Sequence, residues 1–96
     1  SPTELEIMQR AQSALAADPA RALAITNEHA RAYPSGELVQ ERELIAIEAL
    51  ARTGRKDQAE ARAHALIQRF PRTPYAARLE LAIGRPLPSL GAPRNP

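Results

Sequence analysis

Two histidines and a set of paired carboxylates are the side chains here whose types could support acid–base or metal chemistry, and their spacing assembles neither. His29 shares a helical stripe with Ala22, Thr26 and Tyr33, so it reads as an imidazole at the edge of the core, its polar tip reaching a neighbour. His64 falls off the stripe of its own helix and reads as solvated. Neither belongs to a His-x-x-x-His or Glu-x-x-His arrangement, so zinc and di-iron sites have no support. Glu4 with Glu6, and Glu41 with Glu43, are two residues apart, which on a helix turns the carboxylates to different sides. Glu48 and Arg52 have the spacing of an ordinary i,i+4 helix pair. Phosphate-binding loops, Gly-x-Ser-x-Gly and dinucleotide fingerprints are all missing from the sequence. The expectation is a non-enzyme with no cofactor and no metal.

Composition narrows the field further. Ninety-six residues make one small domain, too small for a deep enclosed site. With no cysteine there is neither a disulfide framework nor a thiolate nucleophile, and the redox compartment stays open. No apolar run approaches the roughly 20 residues that cross a bilayer. The chain opens Ser-Pro-Thr without a starting Met or a signal peptide, as a processed or excised segment would. Its net charge of +2 is split unevenly. Residues 1–48 carry four arginines against eight acids, for −4, and residues 49–96 carry eight arginines and Lys56 against three acids, for +6. Such a polarity can steer a charged partner or favour head-to-tail stacking, or it can be an accident of surface composition.

Cap signals divide the chain into five helices, near 3–17, 19–33, 36–53, 57–70 and 74–83. Thr3 with Glu6 forms a capping box, and Asp18-Pro19 places an N-cap acid before a proline that needs no N–H. Pro34 stops the second helix, and Ser35 caps the third. Gly54 ends the third helix in the left-handed conformation, Asp57 with Glu60 forms a second capping box, and Thr73-Pro74 starts the fifth helix. Leu5, Met8, Ala11, Ala14 and Leu15 are the expected packing side of the first helix. In the fourth, Ala59, Ala63, Leu66, Ile67 and Phe70 share one face, with Phe70 closing the core and Arg62 off the stripe in solvent. The third helix is apolar over most of its circumference and should pack on more than one side. No strand period appears, so the fold is all-α. Residues 1–84 form the helical domain, and residues 85–96, rich in Pro and Gly, read as a flexible tail or linker.

A shift of 37 positions carries Ala22 onto Ala59, Thr26 onto Ala63, His29 onto Leu66, Tyr33 onto Phe70 and Pro34 onto Pro71. Helix pairs with alanines in the second helix and a proline twelve residues after the first of them resemble the tetratricopeptide repeat (TPR). The second unit matches well through Gly54, Ala59, Phe70 and Pro71; the first has Ala17-Asp18 in place of the turn glycine. In both, the large aromatic early in the first helix is missing. The resemblance covers about Thr3 to Ile83 and implies two antiparallel helix pairs plus a C-terminal capping helix, a short α-solenoid. The run from Phe70 to Ala77 is also similar to repeat junctions of bacterial cell-envelope proteins, implying a periplasmic or envelope location.

The resemblance further implies that the first helix of each pair lines a concave face holding a protein segment. That face would comprise Glu4, Ile7 and Ala11 from the first helix, Glu41, Leu44, Glu48 and Arg52 from the third, and Tyr75 and Arg78 from the fifth. Ile7 and Leu44 read equally as core, and Glu41 and Glu48 as a solvated stripe. The function implied is a protein–protein interaction or scaffolding module. The first alternative is a self-association module of a larger bacterial protein, membrane-tethered or not, since two repeats are fewer than usually stand alone. Nucleic-acid binding by the arginine-rich half is the second, disfavoured because Tyr33 and Phe70 are needed for packing and leave no stacking platform.

Overall fold

The computed structural model describes residues 1–88, and within them the protein is five helices and no strand. The helices are α1 (Glu4–Ala14), α2 (Pro19–Ala32), α3 (Val39–Arg52), α4 (Lys56–Arg69) and α5 (Ala76–Ile83). Each packs on the next, and α3 also touches α1 and α5. The start of α1 meets the end of α2 through Glu4 and His29, while the ends of α1 and α3 meet through Leu15 and Arg52. Neighbours are therefore antiparallel, and alternate helices run in the same direction.

Two apolar clusters form the core. One joins Ile7, Met8, Ala11 and Leu15 of the first hairpin to Ala22, Ile25, Ile45 and Ala49. The other joins Leu44, Ile47 and Leu50 to Ala59, Ala63, Leu66, Ile67, Leu79 and Ile83. Helix α3 contributes a face to each, which is why its sequence is apolar nearly all round. Leu5, placed on the packing side by its spacing, is instead 57 % exposed. Ile7, about 200° away round the helix, is buried in the first cluster instead.

The 37-residue register is a structural repeat. Helices α2 and α4 have equal lengths, and α3 and α5 begin 37 residues apart. Tyr33 and Phe70 end their helices with nearly the same backbone, φ/ψ −135/63 and −128/74. Each donates its N–H at 2.7 Å, to the carbonyls of His29 and Leu66 respectively.

The capping expectations divide. Thr3 with Glu6 forms its reciprocal box, and Asp18 accepts the N–H of Arg21 ahead of Pro19. Gly54 (φ 78°) and Gly84 (φ 74°) adopt the left-handed conformation. The Ser35, Asp57/Glu60 and Thr73 caps do not form. Helix α3 starts at Val39, α4 already at Lys56 and α5 at Ala76, none with a side-chain cap from its own N-cap residue. Thr73 Oγ1 instead accepts the N–H of Tyr75 at 3.3 Å, within the turn.

Helix α3 is capped from outside. Glu4 Oε1 accepts the N–H of Leu38 at 2.8 Å, and Oε2 accepts that of Glu37 at 3.3 Å. A carboxylate at a helix N-terminus satisfies orphan donors and opposes the positive end of the dipole. Gly36 makes room for it, since a Cβ there would lie 2.1 Å from Glu4 Oε1. The same oxygen faces His29 Nε2 at 2.9 Å, and His29 Nδ1 lies 3.3 Å from an Arg42 nitrogen. Because a guanidinium only donates, Nδ1 accepts and the ring hydrogen sits on Nε2, donating to Glu4. His29 is thus fully buried rather than at the core edge, with both nitrogens partnered. It also stacks on Tyr33 at 5.7 Å, and the Tyr33 hydroxyl donates to Pro2 O.

Three further expectations are corrected. Arg62 is not free in solvent but holds Glu43 with two bonds, at 2.9 and 3.0 Å. Burial raises the pKa of Glu43, yet the hydrogen bonds and charges of Arg62 and Arg42 outweigh it, leaving the carboxyl below its ordinary value. Phe70 is half-buried at the end of α4, with the Arg69 guanidinium 4.9 Å above its ring, so it borders the core rather than closing it. The start of the expected tail, though without regular structure, is tied down: Leu87 packs on the second cluster and donates its N–H to Glu80, and Arg85 pairs with Glu60. The remainder, residues 89–96, lies outside the described residues.

Candidate partner-binding groove

Positions 41, 48 and 52 of α3 fall on one stripe at 100° per residue, and 75, 78 and 82 fall on one stripe of the α5 segment. The seam between α3 and α5 brings these stripes side by side. At its upper end the Tyr75 hydroxyl donates to Glu41 Oε2 at 2.5 Å. That bond, with burial adding to it, raises the pKa of the phenol above its ordinary value. Midway, Arg78 donates to Glu48 at 3.1 Å. At the lower end Arg52 donates to the carbonyl of Leu15, satisfying a group left open where α1 ends.

Below the Arg78–Glu48 pair the seam opens into a shallow groove of about 400 Å³, lined by Glu48, Ala51, Arg52, Lys56, Arg78, Leu81 and Ala82. Alanines at 51 and 82 make the floor. Leu81, 83 % exposed, forms one lip. Lys56, the first residue of α4, closes the end near Gly84. A wider depression between α1 and α2 is lined by Glu6, Arg10, Asp18 and Arg21. Three of these charges are engaged: Glu6 and Asp18 cap helices, and Arg10 pairs with Glu28.

Of the residues expected on the concave face, Glu48, Arg52 and Arg78 line the groove, and Glu41 and Tyr75 lie along the same seam. Two are corrected. Ile7 is 2 % exposed and Leu44 3 %, both inside the apolar clusters with no surface to offer. Ala11 is likewise buried, and Glu4 is engaged at the α3 N-terminus. The ordinary Glu48–Arg52 pair is replaced by two longer-range contacts, Glu48 with Arg78 and Arg52 with Leu15. His64 stays partly exposed beside Glu60.

Sequence reasoning missed Lys56, Leu81, Ala51 and Ala82. The register held a signal for Leu81, which stands 37 residues after the buried Leu44 with no helix following it among the described residues. Nothing in the sequence signals Lys56, because its meeting with α5 depends on how the last two helices pack.

Chemically, the groove has an apolar floor, mixed charge and an open mouth. It can hold a side chain and pair with charges, but it does not enclose a reacting group. No described helix is long and apolar enough to cross a membrane, and among the described residues no group of three or more His, Cys, Asp or Glu could hold a metal ion. In comparisons with known proteins, no family model, curated protein or solved structure matches the chain significantly.

Proposed function

We propose that this chain is a non-catalytic interaction module, a divergent tetratricopeptide-like stack of helices that holds a segment of a protein partner between α3 and α5. The observation that carries this reading is the convergence of Glu48, Arg52 and Arg78 with Leu81 around one open groove. Grooves of this kind suit an extended or helical peptide, whose side chains supply the anchors. Against nucleic acid stands the lack of a base-stacking platform: Tyr33 stacks on His29 and bonds Pro2, and Phe70 packs on the core. Arg62, Arg78 and Arg85 also pair with Glu43, Glu48 and Glu60. A cell-envelope location follows from the resemblance of the Phe70–Ala77 run and belongs to the same proposal.

The test is affinity capture from the source lysate at two salt concentrations, with and without nuclease, comparing the parent with a Lys56→Glu, Arg78→Ala double variant. A protein partner that survives nuclease and is lost in the variant supports the reading. Recovery of nucleic acid alone, with affinity falling at a log–log slope near −0.9 per neutralised phosphate, would overturn it. Self-association is the second reading, favoured by the exposure of Leu81 at the end of the stack. Concentration-dependent sedimentation that Leu81→Ser abolishes would replace the first reading with it.

A further inference from the structure

The groove carries an imbalance of charge that its shape alone does not reveal. Three cations surround it, Arg52, Lys56 and Arg78, against one carboxylate, Glu48. Glu48 is committed to Arg78 at 3.1 Å and is the less exposed of the two. Arg52 meets only the neutral carbonyl of Leu15, and Lys56 has no carboxylate partner among the described residues. Two positive charges therefore face an open depression without local compensation, beside an apolar floor of Ala51 and Ala82. Elsewhere Arg10 pairs with Glu28, Arg42 and Arg62 with Glu43, and Arg85 with Glu60, while Arg21, Arg31, Arg55, Arg69 and Arg72 also lack a carboxylate partner among the described residues. What sets the groove apart is that its unpaired cations share one depression with an apolar floor.

Leu81 supplies the apolar half of the signal. Its counterpart one unit earlier, Leu44, is buried among residues of α4 and α5. Leu81 occupies the same register on α5 and borders the groove uncovered. A lone exposed leucine is unremarkable on a protein surface. One that recurs at a buried register position, next to two uncompensated cations, describes the complement of a ligand.

We propose that the groove takes an acidic protein segment, with an aliphatic side chain seated between Leu81 and the alanine floor and its carboxylates facing Arg52 and Lys56. This rests on the interaction-module reading and adds the chemical class of the partner. A second copy meeting this one through the same face is a poorer occupant, because its Arg78 would approach cations of like sign. A head-to-tail copy offering its acidic half is an outcome that sedimentation reads. Opposite charge at the mouth also steers the encounter, so the association rate carries the salt dependence.

The experiment is fluorescence anisotropy on the whole chain with four labelled probes. These are a short capped peptide of glutamates around one leucine, the same peptide with serine for leucine, a lysine-for-glutamate version, and a single-stranded oligonucleotide of similar length. Lys56→Glu and Leu81→Ser lie at exposed positions, and circular dichroism checks that each variant keeps its helices. The glutamate–leucine peptide binds, and Lys56→Glu weakens it about tenfold or more, equivalent to about 1.4 kcal/mol. Leu81→Ser and the serine peptide each weaken binding severalfold. Insensitivity of the bound glutamate peptide to both variants overturns the proposal, as does tighter binding of the oligonucleotide. Binding of the lysine peptide, lost in Leu81→Ser, rejects the acidic class but leaves the interaction module standing. If no peptide binds and capture from lysate ignores both variants, both readings fail. Sedimentation showing a dimer that Leu81→Ser dissolves assigns the groove to a second copy and also overturns the proposal.

Discussion

The two helix junctions of this protein share a backbone and differ in what fills it. Between α2 and α3 the core positions 29 and 42 hold His29 and Arg42; between α4 and α5 the same positions, 37 residues on, hold Leu66 and Leu79. All four are buried, the last two wholly apolar and the first two joined to one another and to Glu4. Glu4 and its counterpart Glu41 show the same divergence. The first caps the backbone of α3 through Leu38; the second accepts the hydroxyl of Tyr75, which stands at the position equivalent to Leu38. One helix-turn-helix geometry is thus held by an ionic network in the first unit and by hydrocarbon in the second. The comparison teaches that the register is set by what both junctions share: the small residues at 22, 26, 59 and 63, and the helix ends at Tyr33-Pro34 and Phe70-Pro71. The material at positions 29 and 42 is exchangeable, provided that every buried polar atom keeps a partner.

The largest effect should come from breaking the apolar junction with the residue of its polar twin. Leu79→Arg places a guanidinium at a position that is 0 % exposed, beside Leu66 instead of His29. An uncompensated buried charge costs about 3–5 kcal/mol, enough to unfold much of a domain with ordinary stability. Urea denaturation would measure it. A loss below about 1 kcal/mol would show that the second junction has slack that its burial does not reveal.

Next in size is the conversion of the polar junction to the apolar one. Arg42→Leu alone strands His29 Nδ1 and removes one of the two arginines on Glu43, and should cost about 2–3 kcal/mol. Adding His29→Leu removes one orphan, so the double variant should lose clearly less than the sum of the two single changes. Additive losses in thermal melts would mean that the two side chains do not act as a unit.

The smallest expected effect separates the external cap from the rest of the network. The backbone N–H of Leu38 is the chief cause holding the Glu4 carboxyl below its ordinary pKa, against desolvation and with His29 and Glu37 assisting. A depressed folded pKa means stability that is present above the usual carboxylate range and lost as pH falls through the lowered value. Glu4→Gln should therefore cost about 1–2 kcal/mol near neutrality, the scale of a lost cap. The gap in melting temperature between parent and variant should shrink on acidification below about pH 4.5. A gap that stays constant to pH 2 would place the effect in packing and not in charge.

Much of this was legible in one dimension. Five helices, the left-handed Gly54 and the repeat itself follow from apolar period and local cap chemistry, which act over a few residues and leave their marks there. Local signals failed wherever a distant group took over the local role. Ser35 reads as the cap of the third helix, yet Glu4 reaches across from α1 and does the capping, with Gly36 keeping the space open. Arg62 reads as a surface residue because it lies off its helix's apolar stripe, but the neighbouring helix presents Glu43 to it. Ile7 and Leu44 read equally as groove or core, since the spacing that lines a concave face also lines the interface beneath it.

The amino-acid sequence by itself determined the helix count, the 37-residue register and the small-residue faces along which the helices meet, because all three are written in residue size and period. Tertiary structure alone decided which polar residues meet, and so where charge is left over. Arg52 is drawn to the Leu15 carbonyl at the end of α1, Arg78 to Glu48, and Lys56 to the end of α5, where it forms no ion pair among the described residues. The physical reason is range. Helix propensity and capping are settled within about one turn of chain, whereas an ion pair needs only proximity in space, and residues 30 positions apart acquire that when the helices stack.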